Sequence, residues 1–183
     1  MQRAGNAPSG LAGFGPFLAE DNMIGLSLWH HLGLKHALAP DVAIDSLGEM
    51  SFTDYINRRV RWIRVRKKMT LPATLAEPLT ESIICGLYGS WAISSITGIH
   101  QLLLFSLHMA AWLAVDLSVM SSLSVRLQSS NGSSPDFGEF IVAWALREVL
   151  ALPVWLMAMF GSTVTWRGVP YYILANGETE RIR

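Results

Sequence analysis

Cysteine is almost missing: Cys85 is the single one in 183 residues, and it sits inside an apolar run. A lone thiol forms no disulfide framework and no cysteine-ligated metal site, so a disulfide-stapled fold and a cysteine-held zinc are both excluded. Charge is also thin, at 15% of residues against 51% hydrophobic, with seven Trp. A soluble domain carries about a quarter charged residues, so the bilayer has to be weighed as a solvent for part of the chain. The N-terminus, MQRAGNAPSGLAGFGPF, has no basic segment followed by a continuous apolar stretch. It reads neither as a signal peptide nor as an anchor. Internal repeats are missing too.

What is present is unevenly spread. The net charge is zero, yet seven of the fourteen Lys and Arg fall between Arg58 and Lys68. The first stretch, residues 1–54, reads as α/β material punctuated by Gly, Pro and Asp. Asp21 is placed to N-cap a helix through Ile24, Leu28 and Trp29 that stops near Gly33. The short runs LKHAL and DVAI, at 34–38 and 41–44, suit strands. From 55 to 71 a helix is expected, with Tyr55, Trp62, Val65 and Met69 on one stripe and Arg61, Arg64, Lys67 and Lys68 opposite. Val60 and Ile63 interrupt the polar side. Trp beside a dense cationic face suits a helix lying in the membrane interface, with a plain solvated basic helix as the alternative.

Residues 72–165 read as a transmembrane region. Three segments, about 79–99, 102–123 and 140–161, approach the roughly 20 apolar residues that cross a bilayer. Gly86, Gly89, Ser90, Ser94 and Ser95 give the first one small residues for close helix packing. Ionisable groups inside spans need partners; an Asp116–Arg147 ion pair clamping two helices is expected, while Glu81 and His108 fall near ends where water reaches. QSSNGSSPD, 128–136, reads as a flexible loop and 166–183 as a tail. Positive charge places the basic strip in the cytosol. Three spans would then put the tail on the other side, and a re-entrant segment would return it.

The acidic pair Glu20-Asp21 is by itself only a helix-start signal. It follows LAGFGPFLA, and Arg58-Arg59-Val60-Arg61-Trp62 stands about forty residues further on, so a carboxylate and an Arg/Trp patch flank one region at the membrane face. His30, His31 and His36 do not share a ligand geometry and read as ordinary histidines. The basic strip runs into apolar spans and is interleaved with Trp, Ile, Val and Met, which speaks against nucleic acid.

LAGFGPFLAED followed by RRVRW resembles the later part of processive-type glycosyltransferases, in which an ED pair supplies the base and a (Q/R)xxRW motif completes the site. Arg58 in place of Gln, and then WIRVRKKMTLPAT, EPLTES, VAWALRE and TWRGVPYYIL in order, resemble the ceramide glucosyltransferases, over residues 11 to 177. The resemblance implies an α/β remnant of a GT-A domain, then the interfacial helix, then an all-α transmembrane region. It implies inverting transfer of glucose from UDP-glucose to ceramide, with Asp21 as general base and Glu20 assisting. Arg58 and Arg61 would meet the diphosphate, and Trp62 would pack on sugar, uridine or lipid, or serve as an interfacial anchor. A divalent cation, Mg or Mn, is implied, with its ligands in a donor-binding half that this chain does not carry. The chain is therefore expected to be a C-terminal piece, inactive alone. A multi-pass protein of the Golgi or endoplasmic reticulum, catalytic part facing the cytosol, is implied, with a homo-oligomer or a full-length enzyme as further partner. The alternatives are a non-catalytic membrane scaffold and a transferase acting on another lipid or a polysaccharide.

Overall fold

The computed structural model describes residues 10–37, 39, 50–129 and 136–182, with the side chains of 125–129 outside that set. It is mostly helical, with one small sheet. After a 3-10 turn, Gly10–Phe14, come α1 (Glu20–Leu32), α2 (Phe52–Met69), α3 (Leu71–Ala76), α4 (Ser82–Thr97), α5 (Gln101–Ser129) and α6 (Phe137–Met159). An antiparallel meander closes the chain: β1 (Thr163–Trp166), β2 (Val169–Ile173) and β3 (Thr179–Arg181), in that spatial order. The described residues fall into two compact units. One holds 10–37, 39, 50–75 and 154–182; the other holds 76–129 and 136–153.

In the first unit α2 is the organising helix. Ser51 caps it: the Asp54 amide donates to the Ser51 hydroxyl at 3.1 Å, and the Ser51 amide donates back to the Asp54 carboxylate at 3.1 Å. This reciprocal box satisfies two of the free donors at the helix start. Val60 and Ile63 are buried, and with Arg64 and Lys67 they form an i, i+3, i+4, i+7 stripe. They are thus not interruptions of a polar face, as expected from the sequence, but buried neighbours of two half-buried cations. Val65, on the adjoining face, packs with Val164 of β1 and Ile173 of β2, and Met69, Tyr171, Leu18 and Ala19 surround this cluster.

The two cations of the stripe close the end of α6. Arg64 Nη2 donates to the carbonyls of Met157 (3.1 Å) and Phe160 (3.0 Å), and Nη1 to that of Thr163 (2.6 Å). Lys67 Nζ donates to Ala158 (3.4 Å), Met159 (3.0 Å) and Gly161 (2.8 Å). The last carbonyls of a helix lack intrahelical partners and carry its negative dipole end, so two cations there are well placed. A Cβ at Gly161 would lie 2.9 Å from Arg64 Nη2, and the residue's φ of +132° is one that other residues rarely adopt, so glycine is required. Arg64 and Lys67 are therefore committed to backbone, which corrects their assignment to a membrane-contacting face.

Other expectations change as well. α1 opens at Glu20 with Ala19 in the cap position, so Asp21 lies in the first turn and is not the cap. Gly33 does stop the helix, with φ 63°. Leu34 to Ala37 form no strand, and DVAI lies outside the described residues, as do 130–135 of the expected loop. Gln128 and Ser129 of that loop belong to α5. The expected tail forms most of the meander, whose first turn uses Arg167 and Gly168 at positive φ, 50° and 76°.

In the second unit α4 and α5 form a helical hairpin. Gly86 makes it possible: a Cβ there would stand 2.6 Å from His108 Cδ2 and 3.0 Å from Phe105 Cε2. Two helices are long and apolar enough to cross a membrane, Gln101–Ser124 within α5 and Phe137–Met159. α4, at 16 residues, is about 24 Å long and falls short of the expected 79–99 span.

Candidate functional site

The acidic pair is held from both ends of the chain. Ahead of it, the Pro16 carbonyl accepts from the Thr179 amide at 2.9 Å and the Thr179 hydroxyl at 2.8 Å, and Phe17 bridges Glu178. Leu18 and Ala19 then pack on the Val65–Val164–Ile173 cluster. Glu20 and Asp21 follow at once, exposed at the N-terminus of α1, where free amides favour negative charge. Among the described residues neither carboxylate is spent on a hydrogen bond or an ion pair.

The Arg/Trp motif rises from the same cluster. Arg61 and Trp62 lie four and three residues before Val65, one turn or about 5.4 Å along α2. The Arg58 guanidinium carbon stands 4.8 Å from the Trp62 ring centroid and that of Arg59 6.0 Å, within cation–π range. Trp62 is 46% exposed. Burial, and after it the like charge of Arg58, lowers the Arg61 guanidinium from its ordinary value, because both disfavour its charged form. The structure thus brings Arg58 and Trp62 into contact and roots the acidic pair and the motif in one apolar cluster. It records no direct bond between Asp21 and Arg61.

Three features escaped the sequence reading: the Arg64–Lys67 clamp, the meander, and the Thr179–Pro16 staple. Their acceptors are main-chain carbonyls, which leave no mark in side-chain patterns. His36 stacks on Trp29, ring centroids 6.3 Å apart. Among the described residues no three His, Cys, Asp or Glu side chains are grouped to hold a metal ion. They do not fit the implied divalent cation.

In the second unit the expected pair is present and larger than expected. Arg147 Nη2 meets Asp116 Oδ2 at 2.6 Å, and Trp144 Nε1 donates to the same oxygen at 2.8 Å. Arg147 Nε donates to Glu148 Oε1 at 2.8 Å, and its Nη2 also pairs with that oxygen. The Ser82 hydroxyl donates to the other Glu148 oxygen, and His108 Nε2 lies 3.0 Å from the Ser82 carbonyl. Glu148, 7% exposed, is thus tied to the first residue of α4.

A helix bearing an arginine–tryptophan contact and an exposed acidic pair thus share one apolar cluster, in a chain with two helices of membrane-crossing length. The chain belongs to glycosyltransferase family 21, whose family model matches residues 3–179. It is 34% identical over 94% of its length to a ceramide glucosyltransferase of Komagataella phaffii and 39% identical over 87% to one of Candida albicans. Ceramide glucosyltransferase 3 of Caenorhabditis elegans is 28% identical over 92% of the chain. The chain spans 39%, 33% and 36% of the length of these three relatives. No solved structure matches it.

Proposed function

We propose that the chain is the acceptor-side and membrane portion of an enzyme that transfers glucose from UDP-glucose to the primary hydroxyl of ceramide. The supporting observation is the common anchorage of Leu18-Ala19 and Val65, which sets a free acidic pair and an Arg/Trp stripe on one cluster. Residues 1–54 are read as the end of a GT-A domain, 55–71 as the basic helix with its RxxRW motif, and 72–165 as the membrane region. Residues 166–183 are the strapping tail.

In the reaction the ceramide oxygen attacks the anomeric carbon while the bond to the diphosphate breaks, and UDP leaves with the bonding pair. Asp21 takes the hydroxyl proton, because an alcohol becomes an effective nucleophile only as its proton leaves, and Glu20 orients it. Arg58 and Arg61 receive the charge that develops on the diphosphate; at Arg61 the cost of partial burial is relieved by an arriving anion. Trp62 offers a flat face already flanked by cations. The divalent cation and its ligands belong with the donor-binding residues of the longer enzyme.

The clamp also bears on topology. Arg64 and Lys67 hold residues 157–163, so the basic helix and the meander share one side of the membrane. An even number of crossings then separates them, with α5 and α6 crossing and α4 re-entrant. In agreement, α4 begins at Ser82 beside Glu148, the twelfth residue of α6. The positive charge of the basic helix supports a cytosolic position for this side, in a Golgi or endoplasmic-reticulum membrane.

The test joins this chain to the part of the Candida albicans relative that it does not cover and assays microsomes with UDP-glucose and ceramide. Glucosylceramide should form, Asp21→Asn should abolish it, and Arg61→Lys should raise the KM for UDP-glucose. An inserted chimera that transfers nothing overturns the reading. A C-terminal tag should be digested by protease added outside the microsomes.

A further inference from the structure

We infer that Asp116 and Arg147 form a binding site, inside the membrane, for the amide and hydroxyl groups of an uncharged lipid. The inference rests on the acceptor reading above and gives that acceptor a place.

Arg147 is the eleventh residue of α6, about 15 Å from its start, and Asp116 is the sixteenth of α5, about 22 Å from its start. Both fall near the middle of the membrane-crossing segments. Glu148 beside them is buried, but the side chains of Arg147 and Asp116 are 46% and 26% exposed. A charged pair open at this depth faces hydrocarbon unless something polar covers it, and such charges in membranes typically line ligand paths. The pair is also incompletely used. Arg147 spends Nε and Nη2, and Asp116 spends Oδ2. Among the described residues Nη1, with two hydrogens, and Oδ1 have no partner, so a donor and an acceptor stand side by side.

That arrangement selects a ligand. A secondary amide presents a carbonyl to the guanidinium and, with a neighbouring hydroxyl, donors to the carboxylate. The cluster holds two carboxylates against one guanidinium, so a phosphate-bearing lipid is disfavoured and an uncharged one is not. Ceramide, an amide of a long-chain amino alcohol, has this chemistry. Diacylglycerol has a hydroxyl and ester carbonyls but no N–H.

The experiment reconstitutes the full 183-residue chain in phosphatidylcholine nanodiscs and measures labelling by a diazirine-bearing ceramide. Saturable labelling of α5 or α6 is expected, with diacylglycerol competing at least tenfold more weakly than ceramide and phosphatidylserine not competing. R147Q and D116N should raise the half-labelling concentration tenfold or more. R147K keeps the charge between the two carboxylates and removes the second arm of the fork, so it should weaken labelling while helicity and melting are retained. Unchanged labelling in the Arg147 and Asp116 variants overturns the site and leaves the acceptor reading intact. Diacylglycerol competing as strongly as ceramide overturns both. Loss of a nanodisc dimer in R147Q with labelling intact assigns the patch to a second copy and also overturns the site.

Discussion

α2 and the α5–α6 pair both hold cations away from bulk water, and they do so by opposite means. Arg64 and Lys67 of α2 give their hydrogens to main-chain carbonyls at the end of α6, whereas Arg147 gives its hydrogens to two carboxylates. The carbonyl solution needs no charged partner and fixes one helix against the end of another. The carboxylate solution fixes side chains in apolar surroundings and leaves a charge imbalance there. The first builds a scaffold for the Arg58–Arg61–Trp62 stripe. The second leaves unspent hydrogen-bonding capacity partway along two helices long and apolar enough to cross a membrane.

The largest effect should come from breaking the second arrangement. Arg147→Ala leaves two carboxylates uncompensated and should cost about 3 kcal/mol, the low end for a broken buried pair because Arg147 is half exposed. Replacing Arg147, Asp116 and Glu148 together by apolar residues should restore most of that loss. Unfolding by SDS in mixed micelles reads both. An Arg147→Ala variant as stable as the parent would show that lipid or water already satisfies the carboxylates.

Arg64→Ala comes next, at about 2 kcal/mol, for three charge-assisted bonds to carbonyls that keep some access to water. Its diagnostic is local: hydrogen exchange should rise at 157–166 and in α2, and stay unchanged in α4 and α5. Arg64→Lys should recover only part, since one ammonium cannot span carbonyls that the planar fork reaches together. Equal exchange throughout the chain would mean that the clamp carries the whole fold and not one unit.

These two cases also show what the sequence made legible. Asp116 and Arg147 could be paired by reading because opposite charges in apolar runs have few other solutions. The ED and RxxRW motifs were legible as residue strings, and Gly33 as a stop. Arg64 and Lys67 were not, because a carbonyl belongs to every residue and marks none. Their neighbours Val60 and Ile63 gave the only hint: two apolar residues on a face otherwise cationic. The meander was hidden for a related reason, since β1 and β2 are four and five residues long and follow a long apolar helix that dominates any hydropathy reading.

Close packing within the second unit offers a smaller effect. Gly86→Ala introduces a Cβ 2.6 Å from His108 Cδ2, so the imidazole must move and its contact with the Ser82 carbonyl must lengthen. Overpacking of this kind costs about 1–2 kcal/mol. Gly89→Ala, with nothing within 4 Å of its Cβ, is the matched control and should be neutral or slightly stabilising through helix propensity. If both behave alike, the α4–α5 contact is looser than the distance states.

The smallest effect lies at the start of α2, where the box between Ser51 and Asp54 is fully exposed. Bonds from the Ser51 side chain and then its backbone hold the Asp54 carboxyl below its ordinary value. A depressed folded-state value stabilises the protein above the ordinary aspartate range, near about 4, and that contribution is lost as pH falls through the folded value. Ser51→Ala should therefore lower the melting temperature slightly at neutral pH, and the gap from the parent should narrow below about pH 4. Arg64→Ala should show no such narrowing, because neither the guanidinium nor its carbonyl partners titrate there. Parallel melting curves of both variants against pH separate a cap made with a titratable carboxylate from a clamp made with backbone, and a narrowing in Arg64→Ala would place a carboxylate among the partners of the clamp.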